Sequence, residues 1–137
     1  MPDLGSINWL AVLVAVISAQ VLGFLWYGPL FGKQWMAALG RTQEEIRAEG
    51  PGPAMMVGIV HSILNAVAVA IILTMSDTPD LVSGVKIGLL TSIGFAAISV
   101  VTQAMYEKRP WTTTWLYSGF LVVTITAMGA ILGAWQK

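Results

Sequence analysis

Apolar residues fill four long stretches of this chain, and charged residues are almost confined to the segments between them. The stretches cover about residues 7–27, 54–75, 84–105 and 111–135. At about 1.5 Å per residue, a helix of this length crosses the roughly 30 Å of hydrocarbon in a bilayer. Backbone amides find no water there, so each stretch is predicted to be helical. The pattern predicts an all-α membrane protein, an up-down bundle of four transmembrane helices in a single domain over residues 1–137.

Composition supports a membrane protein and excludes several other classes. Hydrophobic residues make up 56% of the chain and charged residues 10%, where a soluble domain carries about 25% charged residues. The 7 basic and 7 acidic residues cancel, so the chain lacks the basic surplus of a nucleic-acid-binding protein. It has no cysteine and a single histidine, which excludes a thiolate or multi-histidine metal site. We expect the lipid bilayer as a partner, and no cofactor, metal, nucleic acid or dedicated catalytic residue.

The only long connection, residues 28–53, has an apolar first half and a polar second half. Gly28 and Pro29 are predicted to end the first helix, because proline cannot continue the hydrogen-bond ladder. After them, Phe31, Trp35 and Leu39 recur every four residues, which predicts a short helix lying in the membrane interface. A capping box and two prolines follow, with the residues Thr42, Glu45, Pro51 and Pro53; they predict a polar turn that leads into the second span.

Two interpretations are open for the start of this connection. It either anchors the first hairpin in the interface or acts as a gate over a site at the same membrane face. The residues concerned are Trp26, Tyr27, Gly28, Pro29, Phe31 and Trp35.

Basic residues predict the orientation. The connections after the first and third spans contain Lys33, Arg41, Arg47, Lys108 and Arg109, whereas the opposite side has Lys86 and Lys137. Cytoplasmic loops carry the excess of Lys and Arg, so both connections are predicted to be cytoplasmic and both termini outside.

Small residues recur every four positions in each span, as in Ala11, Ala15 and Ala19 or in Gly84 and Gly88. Such stripes allow close helix approach, the main source of helix association in lipid. They fit packing within one chain or a seam between copies, and we predict a homo-oligomer.

Polar residues of all four spans fall at one depth, nearer the cytoplasmic face. These residues are Gln20, His61, Asn65, Ser99, Gln103, Tyr117 and Ser118. Polar groups at this depth are costly unless they are paired, so they are expected to face the bundle interior. They predict either a pocket for a small-molecule ligand, open to the cytoplasm, or a buried network of interhelical hydrogen bonds.

The run from Trp26 to Trp35, W-Y-G-P-L-F-G-K-Q-W, resembles an uncharacterised bacterial family of small four-helix membrane proteins, known only as a domain of unknown function. Asn8-Trp9, the segment Tyr106 to Trp111 and the segment Met128 to Leu132 extend the resemblance over nearly the whole chain. It implies the four-helix fold and a multi-pass protein of the bacterial inner membrane, and it supplies no activity.

Three classes of function follow from these patterns. The first is a unit for transport or binding of a small solute or ion at the polar layer. The second is a non-catalytic accessory subunit that binds another membrane protein or a lipid. The third is a membrane enzyme using His61, Asn65 and Glu107, which the absence of paired titratable groups disfavours.

Overall fold

The computed structural model describes residues 2–50 and 52–136, so the predictions that involve Pro51 and Lys137 lie outside the described residues. The α-helices are α1 (Trp9–Leu25), α2 (Gly32–Leu39), α3 (Gln43–Glu49), α4 (Pro53–Thr74), α5 (Leu81–Thr91), α6 (Ile98–Glu107) and α7 (Trp111–Ala134). π-helical turns at Trp26–Leu30 and Ser92–Ala97 extend α1 and join α5 to α6. A 3-10 turn at Leu4–Ser6 precedes α1, and no strand occurs in the described part of the chain.

Four helical segments are long and apolar enough to cross a membrane: Trp9–Leu30, Pro53–Thr74, Leu81–Glu107 and Trp111–Ala134. The predicted all-α fold with four membrane-capable helices is therefore confirmed, as is the short helix between the first two, which is α2. Thr42 Oγ1 accepts the Glu45 N–H at 3.2 Å and so caps α3, which is the Thr42 half of the predicted capping box. The segment predicted to be a polar turn forms this helix.

The first helix ends later than the sequence predicted. Gly28 and Pro29 lie inside the π-helical turn, and the chain leaves the helix only at Phe31. The Phe31 N–H donates to the Trp26 carbonyl at 2.9 Å, a bond that spans five residues. A turn of this width accommodates Pro29, whose ring and missing N–H disrupt the four-residue ladder of an α-helix.

The helix α7 lies at the centre of the bundle and packs against α1, α4 and α5. Its buried hydrophobic side chains are Leu116, Leu121, Ile125, Met128 and Leu132. Buried alanines face them from two neighbours: Ala11, Ala15 and Ala19 on α1, and Ala66 and Ala70 on α4. Small side chains on the outer helices therefore let larger side chains of α7 fill the centre.

The closest helix contact lies between α5 and α7. A side chain on Gly84 would overlap the carbonyl group of Gly129, and one on Gly129 would overlap that of Gly84. One turn further along, a Cβ on Gly88 would lie 2.7 Å from Thr126 Cα. Only glycine permits this backbone-to-backbone packing, because atoms at such distances overlap.

The two ends of the bundle differ. The connector end carries the connections 28–53 and 107–110. The terminal end carries the first and last described residues, and there Asn8 Nδ2 donates to the Trp135 carbonyl at 3.3 Å. We call the corresponding parts of the bundle the connector half and the terminal half. In the connector half α4 separates from its neighbours, and residues 53–58 are all exposed.

Candidate functional site

An aromatic cluster fixes the connector end to α7. The Trp26 Nε1–H donates to the Leu116 carbonyl at 3.0 Å, which joins the end of α1 to α7. The Phe31 ring lies 4.6 Å from the Trp26 ring and 5.5 Å from the Trp115 ring. Aromatic pairs at these separations attract beyond their buried area. The start of the connection is therefore held against the bundle by rings and one hydrogen bond.

One glycine of the same run is required by packing. A Cβ on Gly32 would lie 2.8 Å from the Tyr27 carbonyl oxygen, so a larger residue would push α2 away from the end of α1. A Cβ on Gly28 would meet nothing within 4 Å. The tight approach at Gly32 brings Trp35 back over Tyr27, and their rings lie 5.0 Å apart in an edge-to-face arrangement.

A cavity of about 280 Å³ opens behind this pair, between α1, α2, α6 and α7. We call it the connector cavity. It is lined by Tyr27, Trp35, Leu39, Val100, Ala104, Arg109, Thr113, Thr114 and Tyr117. Its deep wall is apolar and includes the buried Ala104, while its mouth carries the guanidinium of Arg109.

Most polar groups of the connector cavity can donate a hydrogen bond, and those of Trp35 and Arg109 can only donate. In the described part of the chain, the hydroxyls of Tyr27 and Tyr117 and the indole N–H of Trp35 have no protein hydrogen bond, although all three residues line the cavity. Arg109 pairs through Nε with Glu107. A guanidinium has five N–H donors, so its two terminal nitrogens stay available for a second partner. Such an excess of donors is suited to a ligand that carries acceptor oxygens.

The two threonines at the cavity are bonded locally. Thr113 and Thr114 both donate to the Pro110 carbonyl, at 2.9 and 3.0 Å. This closes the turn before α7 and places Arg109 at the rim. Lys108, in the same turn, adopts a left-handed conformation with φ 54°, and the Arg109 N–H donates to the Ala104 carbonyl at 2.9 Å to end α6.

The structure distributes the predicted polar layer over several places. Tyr117 lines the connector cavity. Gln20 Nε2 donates to Ser62 Oγ at 3.0 Å, a hydrogen bond between α1 and α4. His61 is exposed and lies 3.2 Å from Asn65 Nδ2 on its own helix.

The other three members of that layer bond within their own helices. Ser99 donates to the Phe95 carbonyl and Ser118 to the Thr114 carbonyl. Gln103 donates to Glu107, the same carboxylate that pairs with Arg109. The seven side chains therefore do not meet in one chamber.

Asn65 lines a second space, a groove of about 230 Å³ between α4, α7 and the π-helical turn Ser92–Ala97. We call it the lateral groove. Apart from Asn65 and Thr91 its lining is apolar, with Ala68, Val69, Ile72, Phe95, Ala96 and Ile125. No group of three or more His, Cys, Asp or Glu that could hold a metal ion occurs among residues 2–50 and 52–136.

A family model described as a protein of unknown function, DUF1761, matches residues 10–133. The chain belongs to this family. No curated protein and no solved structure matches the chain. The family description names no activity, so function has to be argued from the geometry of the connector end.

Sequence reasoning missed most of the connector cavity. In the sequence, Arg109 belongs to the basic residues that predict the orientation and to the segment Tyr106 to Trp111 that carries the resemblance, and Leu39 belongs to the apolar face of the short helix. Val100 and Ala104 look like ordinary apolar residues of a span. The available signal was the coincidence of Trp35, Arg109 and Tyr117 near one membrane face, each on a different element.

Proposed function

We propose that this protein is an integral membrane protein that binds a small ligand, or one part of a larger ligand, in the connector cavity. The observation that carries the proposal is an apolar wall beside donors without a protein partner in the described residues. These donors are the hydroxyls of Tyr27 and Tyr117 and the terminal nitrogens of Arg109, whose Nε pairs with Glu107. Ligand sites are typically concave and mostly apolar, with a few convergent polar groups.

The connector cavity favours binding over conduction within one chain. Its apolar wall continues into the buried core of α7 at Leu121 and Ile125, and the contact between Gly84 and Gly129 seals the terminal half. A solute that enters from the connector end meets a closed floor. Transport therefore requires either a helix movement or several copies, and solute flux into proteoliposomes is its test.

The test of binding uses a substitution that fills the connector cavity. Ala104→Phe places a ring in the space next to Val100, whereas Met105→Phe adds a ring at a neighbouring side chain that is 73% exposed. Both variants are purified in mild detergent, and small molecules retained by each are identified by mass spectrometry. We expect a compound present with wild type and Met105→Phe and absent with Ala104→Phe. Equal retention by all three proteins contradicts the proposal.

Orientation and localisation complete the proposal. We propose that the connector end faces the cytoplasm of a bacterial inner membrane, because five of the basic residues lie there. The ligand then enters from the cytoplasm or from the inner leaflet. The chain has no cysteine, so a single Gln34→Cys variant tests orientation by its access to a membrane-impermeant thiol reagent in intact cells.

A second candidate function, self-association through α4, is favoured by one observation. The exposed His61 bonds only Asn65 in the described structure, at a depth where polar groups need partners. A second copy that meets α4 supplies such partners. We expect Val57→Cys, 67% exposed on α4, to cross-link between copies far faster than Phe24→Cys, 75% exposed on α1. Similar cross-linking rates at the two positions contradict self-association through α4.

A further inference from the structure

The lining of the connector cavity combines three aromatic rings with aliphatic side chains. The rings belong to Tyr27, Trp35 and Tyr117, and the aliphatic groups include Val100 and Ala104. The volume of about 280 Å³ falls just below the roughly 300–1,000 Å³ of most ligand sites. Aromatic rings attract other rings beyond the area that they bury, in offset and edge-to-face arrangements. The lining therefore favours a small molecule that contains a flat ring.

The Tyr27 ring is held by neighbours from two helices. Its centroid lies 5.0 Å from that of Trp35 on α2 and 5.4 Å from that of Phe120 on α7, and both pairs are edge-to-face. The close approach of Gly32 to the Tyr27 carbonyl oxygen sets the position of α2, and with it that of Trp35. A surface that is in place before binding loses little conformational freedom when a ligand arrives. The aromatic part of the cavity is therefore preorganised.

Three donors of the cavity have no protein partner in the described part of the chain. They are the hydroxyls of Tyr27 and Tyr117 and the indole N–H of Trp35. An indole N–H can only donate, and a hydroxyl can donate or accept, so a ligand with acceptor oxygens can meet all three. Carbonyl oxygens accept hydrogen bonds near the plane of the C=O group. Carbonyl groups on a flat ring therefore place the acceptors at the edge of the ring and leave its faces apolar.

The charge at the mouth of the cavity is already paired. Arg109 Nε contacts one carboxylate oxygen of Glu107, and Gln103 Nε2 donates to the other. An anion that approaches the guanidinium therefore also approaches the carboxylate, so attraction and repulsion oppose each other. Burial of a net charge beside the apolar wall is costly as well. An uncharged ligand avoids both costs and can still accept hydrogen bonds from the terminal nitrogens of Arg109.

We propose that the ligand of the connector cavity is an uncharged, flat ring compound with carbonyl oxygens, which is the chemistry of a quinone ring. Its faces contact the aromatic and aliphatic lining, and its oxygens accept from Tyr27, Trp35 and Tyr117. This inference rests on the proposed function and specifies its ligand class. Such a ring is either a free compound or the head of an isoprenoid lipid, and the experiment distinguishes these two sources.

The experiment compares three probes of similar size that differ in their polar groups. They are menadione, which is a methylated naphthoquinone, methylnaphthalene, which lacks the oxygens, and naphthoate, which is an anion. Binding to the purified protein in mild detergent is measured by equilibrium dialysis against empty micelles. We expect saturable binding of menadione, about 10-fold tighter than that of methylnaphthalene, as two neutral hydrogen bonds predict. Naphthoate should bind no more tightly than methylnaphthalene. The chain has no cysteine, so menadione finds no thiol to alkylate.

Variants test the donors and the paired charge separately. Tyr27→Phe and Tyr117→Phe each keep the ring and remove one donor, so each should weaken menadione binding by about 3-fold to 10-fold and leave methylnaphthalene binding unchanged. Tyr106→Phe is the matched control, because Tyr106 is 86% exposed and does not line the cavity. Glu107→Gln removes the carboxylate beside Arg109. Naphthoate should then bind more tightly than to wild type, while menadione binding changes little.

A short-chain menaquinone distinguishes the two sources of the ring. Tighter binding of menaquinone than of menadione supports the head of a membrane quinone, and weaker binding supports a free ring compound. Both results support the ligand class.

Three outcomes overturn this inference and leave a cavity that still binds a ligand. The first is equal binding of menadione and methylnaphthalene, and the second is tighter binding of naphthoate than of menadione to wild type. The third is equal weakening of menadione binding by Tyr117→Phe and Tyr106→Phe. If no probe binds while Ala104→Phe still loses a compound that wild type retains, only the ring assignment fails. If no probe binds and Ala104→Phe retains the same compounds as wild type, the proposed function fails as well.

Discussion

The terminal and connector halves of this bundle are built from similar residues and packed in opposite ways. In the terminal half, α5 and α7 touch through glycine backbones, and the core around Met128 and Leu132 is buried. In the connector half, the first part of α4 is exposed and the connector cavity remains open between α1, α2, α6 and α7. The first half is closely packed, and the second contains an open space. Under the proposed function, stability and binding belong to different parts of one small chain.

Helix α4 shows that small residues alone do not determine which half of the bundle is closely packed. Its stripe includes Ala54, Gly58, Ser62, Ala66 and Ala70 at equal spacing. Ser62, Ala66 and Ala70 are buried, whereas Ala54 and Gly58 are exposed. A stripe permits close approach, but the surfaces opposite it determine whether the approach occurs.

The largest effect is expected from adding a side chain at the contact between α5 and α7, where the backbones leave no room for one. Gly84→Ala and Gly129→Ala each place a methyl group on a backbone carbonyl that cannot move without shifting a helix. We expect each to lower the free energy of unfolding by about 1–3 kcal/mol, measured as a loss of thermal stability in detergent. Gly58→Ala is the matched control, because a Cβ there meets nothing within 4 Å. Equal tolerance of all three changes contradicts the contrast between the halves.

A smaller effect is expected at the glycines of the connector end. Gly32→Ala brings a methyl group to 2.8 Å from the Tyr27 carbonyl, within a segment that can shift toward lipid. We expect a loss of about 1 kcal/mol together with a change in tryptophan fluorescence, because α2 moves away from Tyr27. Gly28→Ala has free space around it and should leave both readouts unchanged. A fluorescence change with Gly28→Ala and none with Gly32→Ala contradicts the conclusion that packing requires glycine at position 32.

Removal of a single hydrogen bond tests the attachment of α1 to α7. Trp26→Phe keeps an aromatic ring beside Phe31 and removes the bond to the Leu116 carbonyl. We expect a loss of about 0.5–1.5 kcal/mol, seen in the unfolding midpoint. Trp9→Phe is the control, since Trp9 is 54% exposed at the terminal end. Equal effects of the two substitutions show that the Trp26 bond contributes nothing specific.

The sequence was sufficient for the fold and insufficient for the site, for a physical reason. Four apolar spans follow from hydropathy alone, because bilayer thickness imposes the length of each helix. The cavity depends on where Gly32 places α2 against the end of α1 and on how α6 and α7 meet, and both are set by contacts between different helices. Depth along a helix predicted a shared level for Gln20, His61 and Tyr117, but the direction of each side chain depends on helix rotation, which depth does not specify.

The π-helical turn at Ser92–Ala97 was also not predicted. The Thr91 hydroxyl donates to the Ile87 carbonyl at 2.8 Å and the Ser92 hydroxyl to the Leu89 carbonyl at 3.3 Å. Hydroxyls that bond the preceding turn compete with the backbone ladder and bend helices. Isolated Thr and Ser residues in a span are too common to mark such a turn in the sequence.

The smallest effect is expected at the terminal end, at the start of α5. Asp80 accepts the Ser83 backbone N–H at 2.7 Å, and Asp80 N–H donates to the Ser83 hydroxyl at 2.7 Å. Hydrogen bonds from Ser83, with a further contribution from the charge of Lys86, lower the pKa of the Asp80 carboxyl. A lowered pKa means that the folded state favours the ionised form, so its contribution is fully present above the unfolded value of about 3.9. It is lost as the pH falls through the folded value.

Thermal unfolding between pH 6 and pH 3 checks this assignment. Wild type should lose stability over the acid part of this range, and Asp80→Asn should lose less, because asparagine caps the helix without titrating. At pH 6 the two proteins should differ little. Asp77→Asn is the control, since Asp77 is exposed and precedes the cap without capping a helix itself. If Asp77→Asn flattens the pH dependence as much as Asp80→Asn does, the acid sensitivity comes from general charge at the terminal end rather than from the cap of α5.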